Sequence, residues 1–254
     1  MTLRYLFAFR HNLDRITDAF YWPTVDLVLW GLTSVYLTSS LSRTSQGVAV
    51  VVSGIVLWVV VWRGQAEVAV NVLEEFWDWN LINLFVSPLK FSEWIASFLL
   101  IGAIKAAVSF SFAMGVAYML YDVRVFDVGA YLIPMGILLI MTGWWFGFLV
   151  AGLILRYGKK VQSFAWTLIF AIAPFSAVFY PLSVLPWWAQ KISIFVPTSY
   201  IFEGMRTLIS GGTLNFSTFA LSFFLNIVYL CLALIFLYKS FEKIMDKGLG
   251  KGRG

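Results

Sequence analysis

The sequence predicts an all-α polytopic membrane protein with six transmembrane helices. Of its 254 residues, 61% are hydrophobic and only 12% charged. Mean hydropathy is +0.85, and the apolar residues gather into long runs separated by short polar stretches. A soluble domain carries roughly 25% charged residues, about twice the fraction here. The net charge of +5 is not a nucleic-acid signal, because Lys and Arg sit in loop clusters rather than along a stripe. A single cysteine, Cys231, excludes an intramolecular disulfide and a cysteine metal cluster.

Residues 1–19 do not read as a cleavable signal. Leu3, Leu6, Phe7, Leu13, Ile16 and Phe20 recur near helical spacing, with Arg4, Arg10, Asp14, Arg15 and Asp18 between them. That pattern predicts an amphipathic helix on the membrane surface. A spanning helix needs roughly 20 mainly apolar residues. Six runs meet this: Phe20–Ser40, Gly47–Val70, Ser92–Tyr121, Gly129–Leu155, Val161–Leu185 and Phe216–Tyr238. The second weakens after Trp62, at Arg63, Gln65 and Glu67, and is expected to leave the bilayer there and continue into water.

Orientation follows from the basic residues. With the N-terminus inside, 13 of the 18 Lys and Arg fall in cytoplasmic segments, 4 fall outside and Lys105 lies within a span. Both termini are therefore expected in the cytoplasm, with residues 242–254 forming a basic, disordered tail near anionic headgroups.

Two segments between spans are not ordinary loops. The inner one, residues 71–88, reads NVLEEFWDWNLINLFVSP. Glu74, Glu75 and Asp78 share a helical face, Phe76 and Asn80 offer others, and Pro88 marks the end. This predicts a short surface helix built to contact a partner. The outer one, residues 180–212, follows the fifth run. Tyr180 and Pro181 open it, Pro186 and Pro197 break it again, and Glu203 and Arg206 fall one helical turn apart. Repeated prolines cannot sit in one straight helix, and broken backbone in a bilayer needs protein or water around it. A pair of short re-entrant or surface-lying helices is expected, with Glu203 and Arg206 pairing as an outer gate. On that reading a charge-swapped pair recovers part of the loss from either single substitution.

Chemistry is mostly excluded. The run from Gly152 to Lys160 has one residue too many for a phosphate-binding loop and no Ser or Thr after it. Ser210, Gly211 and Gly212 form only a fragment of an ATPase signature. The spans hold no Ser/His/Asp, paired-carboxylate or metal-ligand constellation, so no catalytic, cofactor or metal residues are assigned. Lys105 is the one clear charge within a span. It is read either as a pathway contact or as a group that snorkels or pairs with Asp26 or Glu67. Trp144 and Trp145 lie near mid-span and are pathway candidates, against a packing role. Trp22, Trp62, Trp94, Trp187 and Trp188 fit an interfacial belt. Small residues recur every fourth position at Ala103, Ala107, Ser111 and Gly115 and again at Gly143, Gly147 and Ala151. Such stripes serve close helix packing.

The LFVSPL stretch before the third span, the FYPLSVLP…IFVPTSYIFEGMRTLISGG run between the fifth and sixth, and the order of elements together resemble the ABC-2 family of ABC-transporter permeases. The resemblance covers essentially the whole chain as a single domain. It implies a prokaryotic inner-membrane export subunit working as a dimer, with two cytoplasmic ATPase subunits that bind the ATP and Mg. It also implies that Glu74, Glu75, Asp78 and Asn80 lie on a coupling helix, and that Gly31, Ala173 and Ala177 sit at a dimer seam on the first and fifth spans. Small permeases of this kind export lipid-linked glycans or amphipathic drug-like molecules. A secondary carrier and a non-transporting assembly protein remain the alternatives; a carrier would be expected to show an internal repeat, and none is read.

Overall fold

A computed structural model of the chain describes residues 13–40, 46–77 and 89–246. Among these residues there are helices and turns but no strand. Four stretches are long and apolar enough to cross a membrane: Gln46–Glu75, Phe91–Tyr121, Val125–Tyr157 and Phe216–Ile244. They correspond to the second, third, fourth and sixth expected spans.

The first expected span lies in α1, Leu13–Ser40, which does not join that set because Pro23, Asp26 and several Ser and Thr dilute its apolar run. Residues 13–19 are continuous with it, so the expected surface helix does not end separately at residue 19. Pro23 has no N–H for the carbonyl of Ala19 four residues back. Ser109 supplies the missing donor from α3 (Phe91–Tyr121), its hydroxyl reaching the Ala19 oxygen at 3.1 Å. A proline in α1 is thus repaired by a serine on its neighbour.

The helix α2, Gln46–Trp77, forms the centre. It packs along α1, α3 and α4 (Leu132–Tyr157), and α4 in turn packs along α8 (Phe216–Asp246). Its second half is covered by protein. Arg63, Gln65, Glu67, Asn71 and Glu75 are all buried, none more than 7% exposed, because α3 and α4 cover the polar stretch. Residues 71–77 of the expected short surface helix are the end of this long helix, and the rest of it, residues 78–88, lies outside the described residues. Residues 242–246, expected in a disordered tail, continue α8.

Without a hydrophobic driving force between helices in lipid, close van der Waals packing must hold them. Gly143 and Gly147 on α4 provide it. A Cβ on Gly143 would lie 2.5 Å from the Val61 carbonyl and 2.9 Å from Gly64 Cα, and one on Gly147 would lie 2.6 Å from Val68 Cβ. This stripe therefore serves intramolecular packing. Gly136, on the same helix, has open space around it. Gly143→Ala is expected to cost about 1–3 kcal/mol by overpacking, and Gly136→Ala to cost nothing. Denaturant unfolding of the detergent-solubilised chain checks both. The α3 stripe differs: Ala107, Ser111 and Gly115 are exposed, and Gly115 touches nothing.

The seam residues also turn inward. Gly31 makes room for the Tyr121 ring, whose hydroxyl donates to the Leu27 carbonyl at 2.9 Å. Ala173 and Ala177 belong to a core with Trp58, Met135 and Phe202. Trp94, expected at an interface, is fully buried against Phe98. Trp187 and Trp188 are exposed, as a belt requires.

The fifth expected span is interrupted. Its helix, α5, runs only from Gln162 to Ile172, and 11 residues reach about 16 Å against a hydrocarbon core of about 30 Å. Pro174 stops it, since a proline cannot donate to the Phe170 carbonyl. The break thus precedes Tyr180 and the three prolines that announced it. A 3-10 turn, Ala173–Phe175, leads into a loop and a second 3-10 turn at Leu182–Val184. Two short helices follow, α6 (Trp187–Ser193) and α7 (Pro197–Ile209). Pro181 and Pro186 are the N-caps of the second 3-10 turn and of α6, and Pro197 opens α7, where a missing N–H costs nothing. Gly211, at φ 78°, ends α7 and folds its last turn back, with Gly212 N–H donating to the Thr207 carbonyl at 2.8 Å.

Candidate functional site

Three arrangements bring the sequence-predicted residues to specific partners. The first lies between α2 and α3. Lys105 Nζ meets Glu67 Oε2 at 2.5 Å, with side chains 4% and 9% exposed. Of the alternatives open for Lys105, the pairing with Glu67 is the one formed. Asn71 Nδ2, one turn on, donates to the Glu67 carbonyl at 2.6 Å. Trp144 stands beside the pair: an added Cβ on Gly102 would lie 3.3 Å from Trp144 Nε1 and 3.9 Å from Glu67 Cβ. The indole N–H of Trp144 and both side-chain polar atoms of Gln65 are buried without a hydrogen-bond partner among the described residues. Helix α2 thus carries a line of polar groups through the protein interior.

Trp145 belongs elsewhere. Its indole N–H donates to Asn226 Oδ1 at 3.1 Å, and Thr142 Oγ1 donates to the same oxygen at 2.8 Å. The Asn226 amide in turn donates to the Leu138 and Ser222 carbonyls at 3.2 and 3.1 Å. Every strong polar group of this cluster is satisfied, and it pins α4 to α8. Trp145 is 7% exposed and joins the two helices. Asn226 was missed in the sequence; a lone amide inside the sixth apolar run was the available signal.

The second arrangement holds the outer segment. Glu203 Oε1 and Arg206 Nη1 are 3.4 Å apart across one turn of α7. Each also reaches the preceding loop. The Leu182 N–H donates to Glu203 Oε1 at 2.7 Å, and Arg206 Nη2 donates to the carbonyls of Ala177 and Val178. Ala177 has φ 60°, a left-handed conformation uncommon for alanine. The loop therefore stores strain, and the Arg206 side chain holds it. Burial pulls the Arg206 guanidinium below its ordinary pKa, with the Glu203 carboxylate pushing back; it stays charged at any physiological pH. Tyr180 adds a further tie, donating to the Pro174 carbonyl at 3.0 Å. From the other side, Ser222 and Tyr229 of α8 donate to the carbonyls of Pro197 and Phe195 at 2.9 and 2.8 Å.

The third arrangement is a cavity of about 290 Å³ where α1, α2 and α5 meet the loop after α5. Trp30, Trp58, Phe170, Phe179 and Tyr180 supply aromatic walls, and Asp26 is its only charged lining residue among the described residues. Trp30 and Phe179 lie with ring centroids 4.8 Å apart. Sequence reading named Asp26 only as a partner for Lys105, a role that Glu67 takes.

Of the residues expected to contact a partner, Glu75 is buried at 2% exposure and Glu74 is half-buried. Phe76 lies within α2, with its side chain outside the described set; Asp78 and Asn80 lie outside the described residues altogether. No family model matches this chain, and no curated protein sequence matches it.

Proposed function

We propose that this chain is the membrane-spanning permease subunit of an ATP-binding-cassette exporter of the ABC-2 type. The observation that carries the reading is the outer segment. Between the fifth and sixth apolar runs the chain folds into two short helices, tied to a strained loop by Glu203 and Arg206. A device of this kind suits an outer gate over a pathway, and a chain with no phosphate-binding loop needs its ATPase from elsewhere.

On this reading α1 and the interrupted fifth segment complete six spans, with both termini in the cytoplasm of a prokaryotic inner membrane. Two copies form the pathway, and two ATPase subunits dock near residues 71–88. Glu74, Phe76, Asp78 and Asn80 remain the docking candidates; Glu75 would support the contact from within. The substrate is a lipid-linked glycan or an amphipathic drug-like molecule.

Affinity purification of the tagged chain from its native membranes, at mild detergent concentration, tests the assembly. An ATP-binding-cassette ATPase at equal stoichiometry is expected. Recovery of the chain with no ATPase, from membranes that still transport, contradicts it. The buried Glu67–Lys105 pair and the unpartnered Gln65 favour a second reading, an ion-coupled carrier. Uptake driven by an ion gradient in ATP-free vesicles would establish that reading instead.

A further inference from the structure

We infer that the cavity at Asp26 is a binding site for an organic cation, specifically a quaternary ammonium headgroup held between aromatic faces and one carboxylate. This names the substrate chemistry of the proposed pathway and rests on the transport reading only for its physiological role.

Three observations carry it. The first is charge. Asp26 is the only charged residue lining the cavity, and it makes no hydrogen bond or ion pair among the described residues. Arg206 of α7, which holds the loop after α5, does not line the cavity and is paired with Glu203 while donating to the Ala177 and Val178 carbonyls. A half-buried carboxylate facing apolar walls leaves an uncompensated negative charge that a cation relieves.

The second is the nature of the walls. Aromatic rings present negative faces and attract cations, most strongly when water is excluded, and Trp does so best. Trp58 is 8% exposed and lines the cavity together with the more open Trp30, Phe170 and Phe179.

The third observation decides against a sugar. A glycan site needs several polar groups to meet the ring hydroxyls. Here Asp26 is joined by the Tyr180 hydroxyl, whose proton is already given to the Pro174 carbonyl, and by the indole N–H groups of Trp30 and Trp58, too few to meet the hydroxyls of a sugar ring. Most hydroxyls of a sugar ring brought into this cavity would lose water without replacement. The volume of about 290 Å³ also lies at the bottom of the usual range of roughly 300–1,000 Å³ for ligand pockets. It admits a headgroup and not an oligosaccharide.

The test uses the purified full chain in phosphatidylglycerol nanodiscs, which contain no choline headgroups. Choline is titrated against tryptophan fluorescence, beside 3,3-dimethyl-1-butanol, its neutral isostere, and methyl glucoside. Choline is expected to quench saturably. Asp26→Asn, which keeps the side-chain shape, should weaken it at least tenfold, and Trp58→Leu should remove most of the signal and the affinity. The isostere should bind at least tenfold more weakly than choline. Asp26→Asn folds if its unfolding midpoint matches wild type; Asp26→Glu, which retains the charge, serves if it does not, and should bind choline within threefold of wild type.

Equal binding of choline and the neutral isostere overturns the proposal by reducing the cavity to an apolar space. Equal choline binding by wild type and Asp26→Asn overturns it as well. So does methyl glucoside binding more tightly than choline, or the absence of saturable choline quenching, as when a second copy fills the cavity. The assay contains no ATPase, so a failed transport experiment with intact choline binding removes the exporter reading alone, and the converse removes the cation site alone.

Discussion

Lys105→Met destabilises the folded chain by about 3–5 kcal/mol, because it leaves the Glu67 carboxylate buried and unpaired. The two side chains are 4% and 9% exposed, with Nζ and Oε2 at 2.5 Å. Neither water nor lipid headgroup can take the place of the ammonium at that burial. Removing both charges is a different perturbation: Lys105→Met with Glu67→Leu returns apolar volume to an apolar seam and recovers most of the loss. Unfolding of the purified chain in bicelles, read for wild type, both single variants and the double variant, checks the cycle. Losses that simply add would show that the pair is not coupled. The stable double variant then separates structure from transport. If it folds and exports normally, the pair is a clamp between α2 and α3; if it folds and does not export, the charges belong to the pathway.

Arg206→Ala costs on the order of 3 kcal/mol and loosens the outer segment. The cost is the desolvation of groups left without partners, about 1–3 kcal/mol for each buried one. Ala177 and Val178 are both fully buried, and both lose the guanidinium their carbonyls depend on. Arg206→Lys recovers only part, since an ammonium lacks the planar fork that reaches two carbonyls and a carboxylate together. The partner pattern also revises the expectation for a charge swap. Glu203 accepts from the Leu182 N–H while Arg206 donates to carbonyls, and exchanging the two puts an acceptor against acceptors and a donor against a donor. Glu203→Arg with Arg206→Glu therefore does not rescue. Ala177→Gly relieves the positive φ and makes the segment less dependent on Arg206. Limited proteolysis of residues 176–186 in intact vesicles, compared across these variants, reads the loosening directly.

How much of this was legible in the residues depended on where the information resides. The long apolar helices at Gln46–Glu75 and Phe216–Ile244 follow from composition and length, so sequence alone locates them. The Lys105–Glu67 pair was also within reach, because two isolated charges on consecutive apolar runs have few other partners. The fifth span misled because Ala173-Pro174-Phe175 sits inside an unbroken apolar run; hydropathy counts a proline there as one more nonpolar residue, while its missing donor ends the helix. The packing around the second half of α2 was not legible in its own residues. Arg63, Gln65 and Glu67 read as a return to water, whereas α3 and α4 cover them. Arg206 was visible as half of an ion pair, but backbone carbonyls carry no sequence signature, and they are what it chiefly holds. The Asp26 cavity draws on α1, α2, α5 and the following loop, and only the packed fold brings them together.

The exporter reading is tested most directly by substrate-stimulated ATP hydrolysis in liposomes that hold this chain and the ATPase recovered with it. ATPase alone, or the chain alone, is expected to show no substrate-dependent turnover. The complex is expected to hydrolyse ATP faster when an amphiphile is supplied to the cytoplasmic face, and Glu74→Lys with Asp78→Lys to abolish the stimulation while leaving insertion intact. Turnover by the purified chain without a partner, or transport by the complex that is indifferent to ATP and follows an ion gradient, would contradict it.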